Sequence, residues 1–256
     1  LTCLQELSNY HRQQLDIQIL ALTGSNGKTT TKELINAVLN EKYNCYATKG
    51  NLNNHIGVPL TLLSMTPEHN FGVVEMGANH QLEIANLCDI ALPDFGFITN
   101  FGRVHLEGFG SFEGVVKGKT EMYRHLQAQG KKVFVNQDDP IQMDKSIGMD
   151  RVLFGPKGDD YQVTFIGADP FVSISFEEIE MDSQLIGSYN YANIAAAVSI
   201  GKYFGIETKK IKNAIQGFVP DNNRSQIITR DSNRIILDAY NANPNSMEVA
   251  IDNLKN

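Results

Sequence analysis

The hydrophobic positions of this chain form two kinds of segment, short apolar runs and longer stretches with a helical period. The apolar runs have the length and the polar boundaries of buried strands and occupy residues 17–22, 43–47, 71–76, 95–100 and 132–136. Between them, apolar residues recur every three or four positions, which predicts helices that begin at Lys28 and Gly57 and helices over 82–88 and 112–129. Strands that alternate with helices are typical of an α/β fold with a mainly parallel sheet flanked by helices.

The pattern changes after residue 150. The apolar runs 152–154, 161–165 and 171–176 are separated by Gly, Pro and Asp, as in short strands joined by tight turns. We therefore expect a small antiparallel sheet beside the main one. Helical periods return over 191–204 and 209–216.

The chain is predicted to have three parts. Residues 1–15 are expected to form a helix or linker that leads in from an N-terminal domain outside this sequence, with no secretory leader. Residues 16–223 would form a large central domain. A strand over 234–238 and a helix over 246–255 are too few elements to bury a core, so we interpret 224–256 as the truncated start of a Rossmann-like C-terminal domain. No apolar run approaches the roughly 18 residues of a membrane span.

The most informative local pattern is a glycine loop between the first predicted strand and the first helix. The loop has the sequence Thr23-Gly24-Ser25-Asn26-Gly27-Lys28-Thr29-Thr30. Backbone N–H groups and the helix dipole favour an anion at such a loop, and glycines permit close approach. Lys28 would reach the outer phosphates of a nucleotide, and the hydroxyl of Thr29 would reach Mg²⁺. Because Leu22 stands where the full Walker pattern has its first glycine, an ordinary strand-to-helix turn is the alternative.

Polar residues also follow the ends of other predicted strands, where parallel sheets bind ligands. Glu75 ends an apolar strand, and a buried carboxylate is costly without a metal ion or cation beside it; a hydrogen-bonded structural acid is the alternative. His105 lies in a glycine-flanked loop after the strand 95–100. It is a candidate ligand, although a lone histidine is more often a structural hydrogen-bonding group.

Three further polar residues have ordinary structural interpretations. From composition alone, Lys119 is expected to be a solvated lysine on the helix 112–129. Asn190 stands at a predicted helix start, where asparagine is a common N-cap. Asn193 lies in the first turn of an Ala-rich helix, where Asn is disfavoured, and its amide can both donate to and accept from the edge of a base.

Composition limits the kind of partner. The chain has 256 residues, 42% hydrophobic and 20% charged, and a net charge of −7 without a long basic run, which argues against a nucleic-acid surface. Cys3, Cys45 and Cys88 lack the spacing of a disulfide framework or a metal site. They are typical of a reducing compartment, and we expect a cytoplasmic protein.

Taken together, these motifs resemble the Mur ligase family, the ATP-dependent amide-forming enzymes of peptidoglycan synthesis. The segments that carry the resemblance are residues 23–30, 53–59, 75–78, 105–109 and 238–244. The phosphate loop alone marks only the superfamily. The other segments, in the same order, point to the branch that adds D-alanyl-D-alanine to UDP-N-acetylmuramoyl-tripeptide.

The resemblance implies a role for individual residues. The ATP phosphates would be held by Gly24, Ser25, Asn26, Gly27, Lys28, Thr29 and Thr30, with Asn54 facing them. Two Mg²⁺ sites are implied, one with Thr29 and Glu75, the other with His105 and a carbamylated Lys119. The catalytic groups would be Lys28, His105 and Lys119. Asn190 and Asn193 would contact the adenine. Arg224, at the junction with the C-terminal domain, and Asp238, within that domain, would also reach the nucleotide.

The implied reaction forms an acyl phosphate from ATP and the tripeptide carboxylate, and then the amide with D-alanyl-D-alanine. The enzyme would be a monomer without nucleic-acid partners. Two alternatives stay open: another ligase of the superfamily, similar to folylpolyglutamate synthase, and a nucleotide-binding module without ligase activity. The chain by itself is expected to be inactive.

Overall fold

The computed structural model describes residues 1–220, 226–231 and 233–237, together with Met247 and Ile251. The strands are β1 (Gln18–Thr23), β2 (Cys45–Ala47), β3 (Phe71–Glu75), β4 (Phe95–Ile98), β5 (Lys132–Asn136), β6 (Arg151–Gly155), β7 (Tyr161–Ala168), β8 (Phe171–Phe176), β9 (Ile179–Ile186), β10 (Gln226–Arg230) and β11 (Asn233–Leu237). The helices are α1 (Thr2–Gln14), α2 (Lys28–Leu39), α3 (Gly57–Leu63), α4 (Glu83–Ala91), α5 (Leu106–Phe109), α6 (Phe112–Lys119), α7 (Glu121–Ala128), α8 (Pro140–Lys145), α9 (Asn190–Tyr203) and α10 (Thr208–Gly217).

One nine-stranded sheet organises the molecule, with the strand order β2-β3-β1-β4-β5-β6-β7-β8-β9. The pairs from β2 to β7 are parallel. Because β1 lies between β3 and β4, the loops that follow these three strands meet at the same edge. The chain leaves β1 toward one side of the sheet and returns on the other, which is the position where open α/β sheets bind ligands.

The predicted antiparallel part is confirmed in β7, β8 and β9, but it continues the main sheet. The run 152–154, which we grouped with it, lies in β6 and pairs in parallel with β5. A short apolar run has the same appearance in either setting, so its partner strand is decided by the tertiary structure. The strand β9 was not predicted.

The helix expected over 112–129 is divided in two at Thr120, so that prediction was wrong. The Thr120 hydroxyl donates to the carbonyls of Val116 (2.8 Å) and Lys117 (3.2 Å). Threonine side chains that bond back to the preceding turn commonly bend a helix. The division leaves Lys119 as the last residue of α6.

Helices cover both faces of the sheet, as the sequence predicted. Along β1, Leu20 and Leu22 pack into the hydrophobic cluster under α2, α9 and α10, whereas Ile19 and Ala21 pack under α4, α6 and α7. Successive strand residues face opposite sides, so a fully buried parallel strand is apolar throughout. Beyond this sheet, β10 and β11 pair in antiparallel fashion. Among the described residues, no helix is long and apolar enough to span a bilayer.

Arg12 anchors the N-terminal helix α1 to the central sheet. Its buried guanidinium donates to the carbonyls of Ala91 (3.1 Å) and Leu92 (3.2 Å) at the end of α4, and pairs with Asp94 at 3.0 Å. Carbonyls at a helix C-terminus carry partial negative charge, which favours a cation there. Asp94 also accepts the N–H of Ile19, so one ion pair joins α1, α4 and the start of β1.

We predict that Arg12→Ala lowers the free energy of unfolding by about 2 kcal/mol. The change leaves two helix carbonyls without their donor, and Asp94 loses one of its two cationic partners among the described residues, the other being Lys131 at 2.7 Å. Urea denaturation measures the loss. Gln13→Ala, an exposed position on the same helix, is the control and should change stability by less than about 0.5 kcal/mol. Equal effects of the two changes would contradict the anchoring role.

Candidate active site

A cavity of about 800 Å³ opens at the edge of the sheet where β1, β3 and β4 end. Thirteen of the predicted site residues line this cavity: Gly24, Ser25, Asn26, Gly27, Lys28, Thr29, Thr30, Asn54, Glu75, His105, Lys119, Asn190 and Asn193. Arg224 and Asp238 lie outside the described residues, so their predicted contacts stay predictions. The fold thus brings together predicted site residues from six separate segments of sequence.

The glycine loop leads directly into the start of α2 and is held by the segment after β4. Gly27 ends the loop as the N-cap of α2 with φ 76°, a conformation that favours glycine. A Cβ at Gly27 would lie 2.6 Å from Oδ1 of Asn193, so no larger residue fits without rearrangement. The N–H groups of Ser25 and Asn26 donate to the backbone and side-chain oxygens of Asn100 (3.1 and 3.0 Å), which fixes the loop to the segment after β4.

Two lysines from distant parts of the chain converge on this loop. Nζ of Lys28 donates to the carbonyl oxygen of Gly24 at 2.8 Å, and Nζ of Lys119 donates to the same oxygen at 2.9 Å. Lys119 is only 1% exposed. Its interpretation as a solvated helix lysine was therefore wrong, because the Lys119 side chain is buried and its amine contacts the glycine loop.

Burial changes the acid–base chemistry of Lys119. Loss of solvation is the larger cause, and the charge of Lys28 the smaller, of a pKa lowered to about 7. A substantial share of the Lys119 side chains therefore carries an uncharged amine at neutral pH. An uncharged amine is a nucleophile, which a solvated lysine ammonium is not.

Glu75 is a buried carboxylate whose donors are uncharged. It is 1% exposed and accepts hydrogen bonds from the Thr29 hydroxyl (3.0 Å) and from Nδ2 of Asn53 (2.8 Å). None of the ion pairs within the described part of the chain includes Glu75. A carboxylate in such surroundings is costly unless a cation accompanies it.

The oxygen pair of Glu75 and Thr29 fits a hard divalent cation. Mg²⁺ is commonly held by one or two protein oxygens together with water and substrate phosphates. Among the described residues, no cluster of three or more His, Cys, Asp and Glu could hold a metal ion. His105 also lines the cavity, with a left-handed backbone (φ 49°), a side chain 45% exposed, and Nδ1 3.7 Å from Oε1 of Glu107.

The two asparagines of α9, Asn190 and Asn193, belong to a buried chain of hydrogen bonds, here called the buried relay. Thr31 donates to Oδ1 of Asn193 (3.0 Å), Nδ2 of Asn193 to Oδ1 of Asn190 (2.8 Å), and Nδ2 of Asn190 to the carbonyl of Ile186 (2.8 Å). The N-cap interpretation of Asn190 was wrong, because Tyr189 occupies the cap position and the Asn190 amide donates to the preceding strand β9. Contact of either asparagine with adenine stays a prediction.

Asn54 has a partly structural role. Its Oδ1 accepts the N–H groups of Ile56 (3.0 Å) and Gly57 (2.9 Å) at the start of α3. A contact with a phosphate would therefore come from Nδ2. The sequence analysis gave no role to Asn53 or Asn100, which contact Glu75 and the glycine loop. Their position in the polar segments after β2 and β4 was the signal that could have identified them.

Comparison with known proteins identifies the family. A model described as the Mur ligase middle domain matches residues 22–201. The chain belongs to the Mur ligase family. This Mur ligase chain is 36% identical over 255 residues to UDP-N-acetylmuramoyl-tripeptide–D-alanyl-D-alanine ligase of Bacillus subtilis (strain 168), which covers 98% of the chain and 56% of the relative.

Solved structures extend the likeness to the fold. MurF from Acinetobacter baumannii aligns with a TM-score of 0.88 and 33% identity over 98% of this chain and 57% of that one. MurF ligase from Thermotoga maritima, solved in complex with ADP, aligns with a TM-score of 0.88 and 25% identity. The alignment covers 99% of this chain and 60% of that one. This Mur ligase chain thus spans a little over half the length of these relatives.

We predict that burial of Lys119 makes stability depend on pH. Between the folded pKa of about 7 and the ordinary value of 10.5, the unfolded state binds more protons, so wild-type stability should rise with pH relative to Lys119→Met. The slope approaches about 1.4 kcal/mol per pH unit midway. Urea denaturation at several pH values measures this slope. Lys117→Met, an exposed lysine of the same helix, is the control; equal pH dependence of both variants would contradict the assignment.

Proposed function

We propose that this chain is the nucleotide-binding part of an ATP-dependent ligase that adds D-alanyl-D-alanine to UDP-N-acetylmuramoyl-tripeptide. The observation that carries the proposal is the convergence of Lys28 and Lys119 on one loop carbonyl, in the cavity that the oxygen pair of Glu75 and Thr29 also lines. That arrangement suits a polyphosphate and its cations. The name of the Bacillus subtilis relative supports the choice of substrates.

In this proposal the phosphate loop holds the ATP phosphates. The positive end of α2 faces the phosphate chain, and Lys28 contacts the outer phosphates. Thr29 and Glu75 would hold Mg²⁺, which when bound neutralises phosphate charge. The adenine would lie near Asn190 and Asn193, and the ADP seen in the Thermotoga maritima relative supports a nucleotide in this cavity. Asn54 through Nδ2, together with Arg224 and Asp238, would complete the proposed nucleotide contacts.

The reaction has two steps. A carboxylate oxygen of the tripeptide attacks the γ-phosphorus of ATP, which forms the acyl phosphate and releases ADP. The amine of D-alanyl-D-alanine then attacks the acyl carbon, phosphate leaves, and the nitrogen loses a proton. Lys28 stabilises negative charge on the transferred group, and the rigid loop supplies alignment.

Lys119 is proposed to be carbamylated. Its uncharged Nζ would bond to the carbon of CO₂ and lose a proton to solvent, which yields an anion with two oxygen ligands. With His105 these oxygens would hold a second Mg²⁺. The support is the burial of Lys119 and its pKa of about 7, which leaves the nitrogen lone pair available near neutral pH.

The proposal also covers the setting of the enzyme. Residues 16–223 would be the central ATP-binding domain, with 1–15 as the entering helix and 224–256 as the start of a C-terminal domain. The enzyme would act as a monomer in the cytoplasm. All three cysteines are free thiols, which supports a reducing compartment.

We predict that a full-length enzyme containing this chain forms the amide and releases one phosphate when ATP and both substrates are present. Lys28→Ala should lower the rate at least about a hundredfold, because the transferred phosphoryl group loses its cation. Coupled phosphate release and mass spectrometry of the product measure the reaction. Ligation of glutamate to folate instead would favour the other superfamily ligase, and acceptor-independent hydrolysis would favour a nucleotide-binding module.

We predict that Lys119→Ala in the same enzyme loses most of its ligation rate and regains part of it when acetate is added. A small carboxylate can occupy the space of the carbamate and supply its oxygens. Steady-state rates over a range of acetate concentrations test this, with Lys28→Ala as the variant that acetate should not rescue. Full activity of Lys119→Ala would exclude a carbamate ligand.

A further inference from the structure

A second buried lysine lies one turn beyond the phosphate loop. Lys32 of α2 is 0% exposed, although no role follows for it from the proposed reaction. Its Nζ donates to the carbonyl oxygen of Thr48 at 2.5 Å and pairs with Oε1 of Glu33 at 2.7 Å. Burial of an ammonium is costly, so a lysine here needs these partners and holds them in place.

The residue that Lys32 holds connects two strands. Thr48 follows β2, and its own N–H donates to the carbonyl of Val73 in β3 (3.0 Å). The Thr48 hydroxyl accepts the backbone N–H of Glu75 at 3.0 Å. Lys32 therefore fixes the residue against which the backbone of Glu75 is placed.

The segment after Thr48 returns to the same carboxylate. Asn53 donates from Nδ2 to Oε1 of Glu75 (2.8 Å), and its carbonyl accepts the N–H of Gly77 (2.7 Å). A Cβ on Gly77 would lie 2.8 Å from Oδ1 of Asn53, so the two segments are in close contact. Thr29, three residues before Lys32 on α2, donates to the other carboxylate oxygen. These contacts form a closed circuit from α2 through the segment 48–53 to Glu75 and back to α2.

We propose that Lys32 is a positioning residue that holds the segment 48–53 so that Glu75 presents its carboxylate to the divalent cation of the nucleotide. Lys32 touches neither the nucleotide nor the cation. Lys32 holds Thr48, which accepts the backbone N–H of Glu75. By fixing the start of the segment 48–53, Lys32 also helps to place Asn53, which donates to the Glu75 carboxylate. The inference rests on the proposed function, since it assumes a nucleotide–metal complex in the cavity.

Calorimetric titration of this chain with ADP, with and without Mg²⁺, tests the inference. For the wild type we expect Mg²⁺ to strengthen ADP binding. Lys32→Met keeps the aliphatic stem and removes the ammonium; it should leave metal-free ADP binding unchanged and reduce the strengthening by Mg²⁺ about tenfold, as loss of an outer partner of a metal ligand does. If Lys32 served stability alone, Lys32→Met would lower the free energy of unfolding and leave the ratio of ADP affinities with and without Mg²⁺ unchanged.

Lys42→Met is the matched control. Lys42 lies just beyond the other end of α2, and its Nζ also donates to a backbone carbonyl, that of Phe204 at 2.7 Å. Its removal should lower stability and leave the effect of Mg²⁺ unchanged. A reduced Mg²⁺ effect in both lysine variants would overturn the inference, because the loss would then not be specific to the circuit.

Asn53→Ala tests the other arm of the circuit and does not depend on the folding of Lys32→Met. It should also reduce the Mg²⁺ effect, and the double variant should lose less than the two single losses combined, since both act on Glu75. Unchanged Mg²⁺ effects in Lys32→Met, or additive losses, would overturn the inference and leave the proposed function intact. A wild-type chain that binds no ADP under either condition would overturn both.

Discussion

The buried carboxylate of Glu75 is the constraint on which the arrangement of the cavity depends. A carboxylate at the end of a central strand loses its hydration, and its described protein donors are the uncharged groups of Thr29 and Asn53. These donors come from the helix after β1 and from the segment after β2. The carboxylate therefore fixes two elements at once, and its remaining requirement for positive charge is the physical basis for a cation site.

Positive charge is concentrated on the other side of the same loop. Lys28 and Lys119 share the carbonyl of Gly24, so two amino groups that repel one another are kept close together. The loss of solvation, and to a smaller extent this repulsion, lower the pKa of Lys119 to about 7. A polyanion relieves this repulsion, and the same lowered pKa keeps the Lys119 nitrogen reactive. One packing arrangement thus serves both anion binding and covalent modification.

The sheet makes these contacts possible because of its strand order. With β1 between β3 and β4, the phosphate loop, Glu75 and the segment after β4 meet at one edge without long connections. The Asn100 oxygens hold the loop N–H groups, and the buried relay from Thr31 to Asn190 supports it from α9. The loop is therefore supported by the segment after β4 and, through Thr31, by α9, and this rigidity is what alignment of a phosphoryl group requires.

Local patterns in the sequence determined the α/β class, the glycine loop at a helix start and the unusual carboxylate of Glu75. Each of these depends on residues within a few positions of one another, where period and turn chemistry act. The tertiary structure decided the partner of the strand 152–154, the break at Thr120 and the burial of Lys119 and Lys32. Lys119 and the carbonyl it contacts are 95 residues apart, and nothing in a helical period distinguishes a solvated lysine from one that is buried against the glycine loop. Such contacts depend on which elements pack together, and that is set by the whole fold because burial depends on neighbours that are distant in sequence.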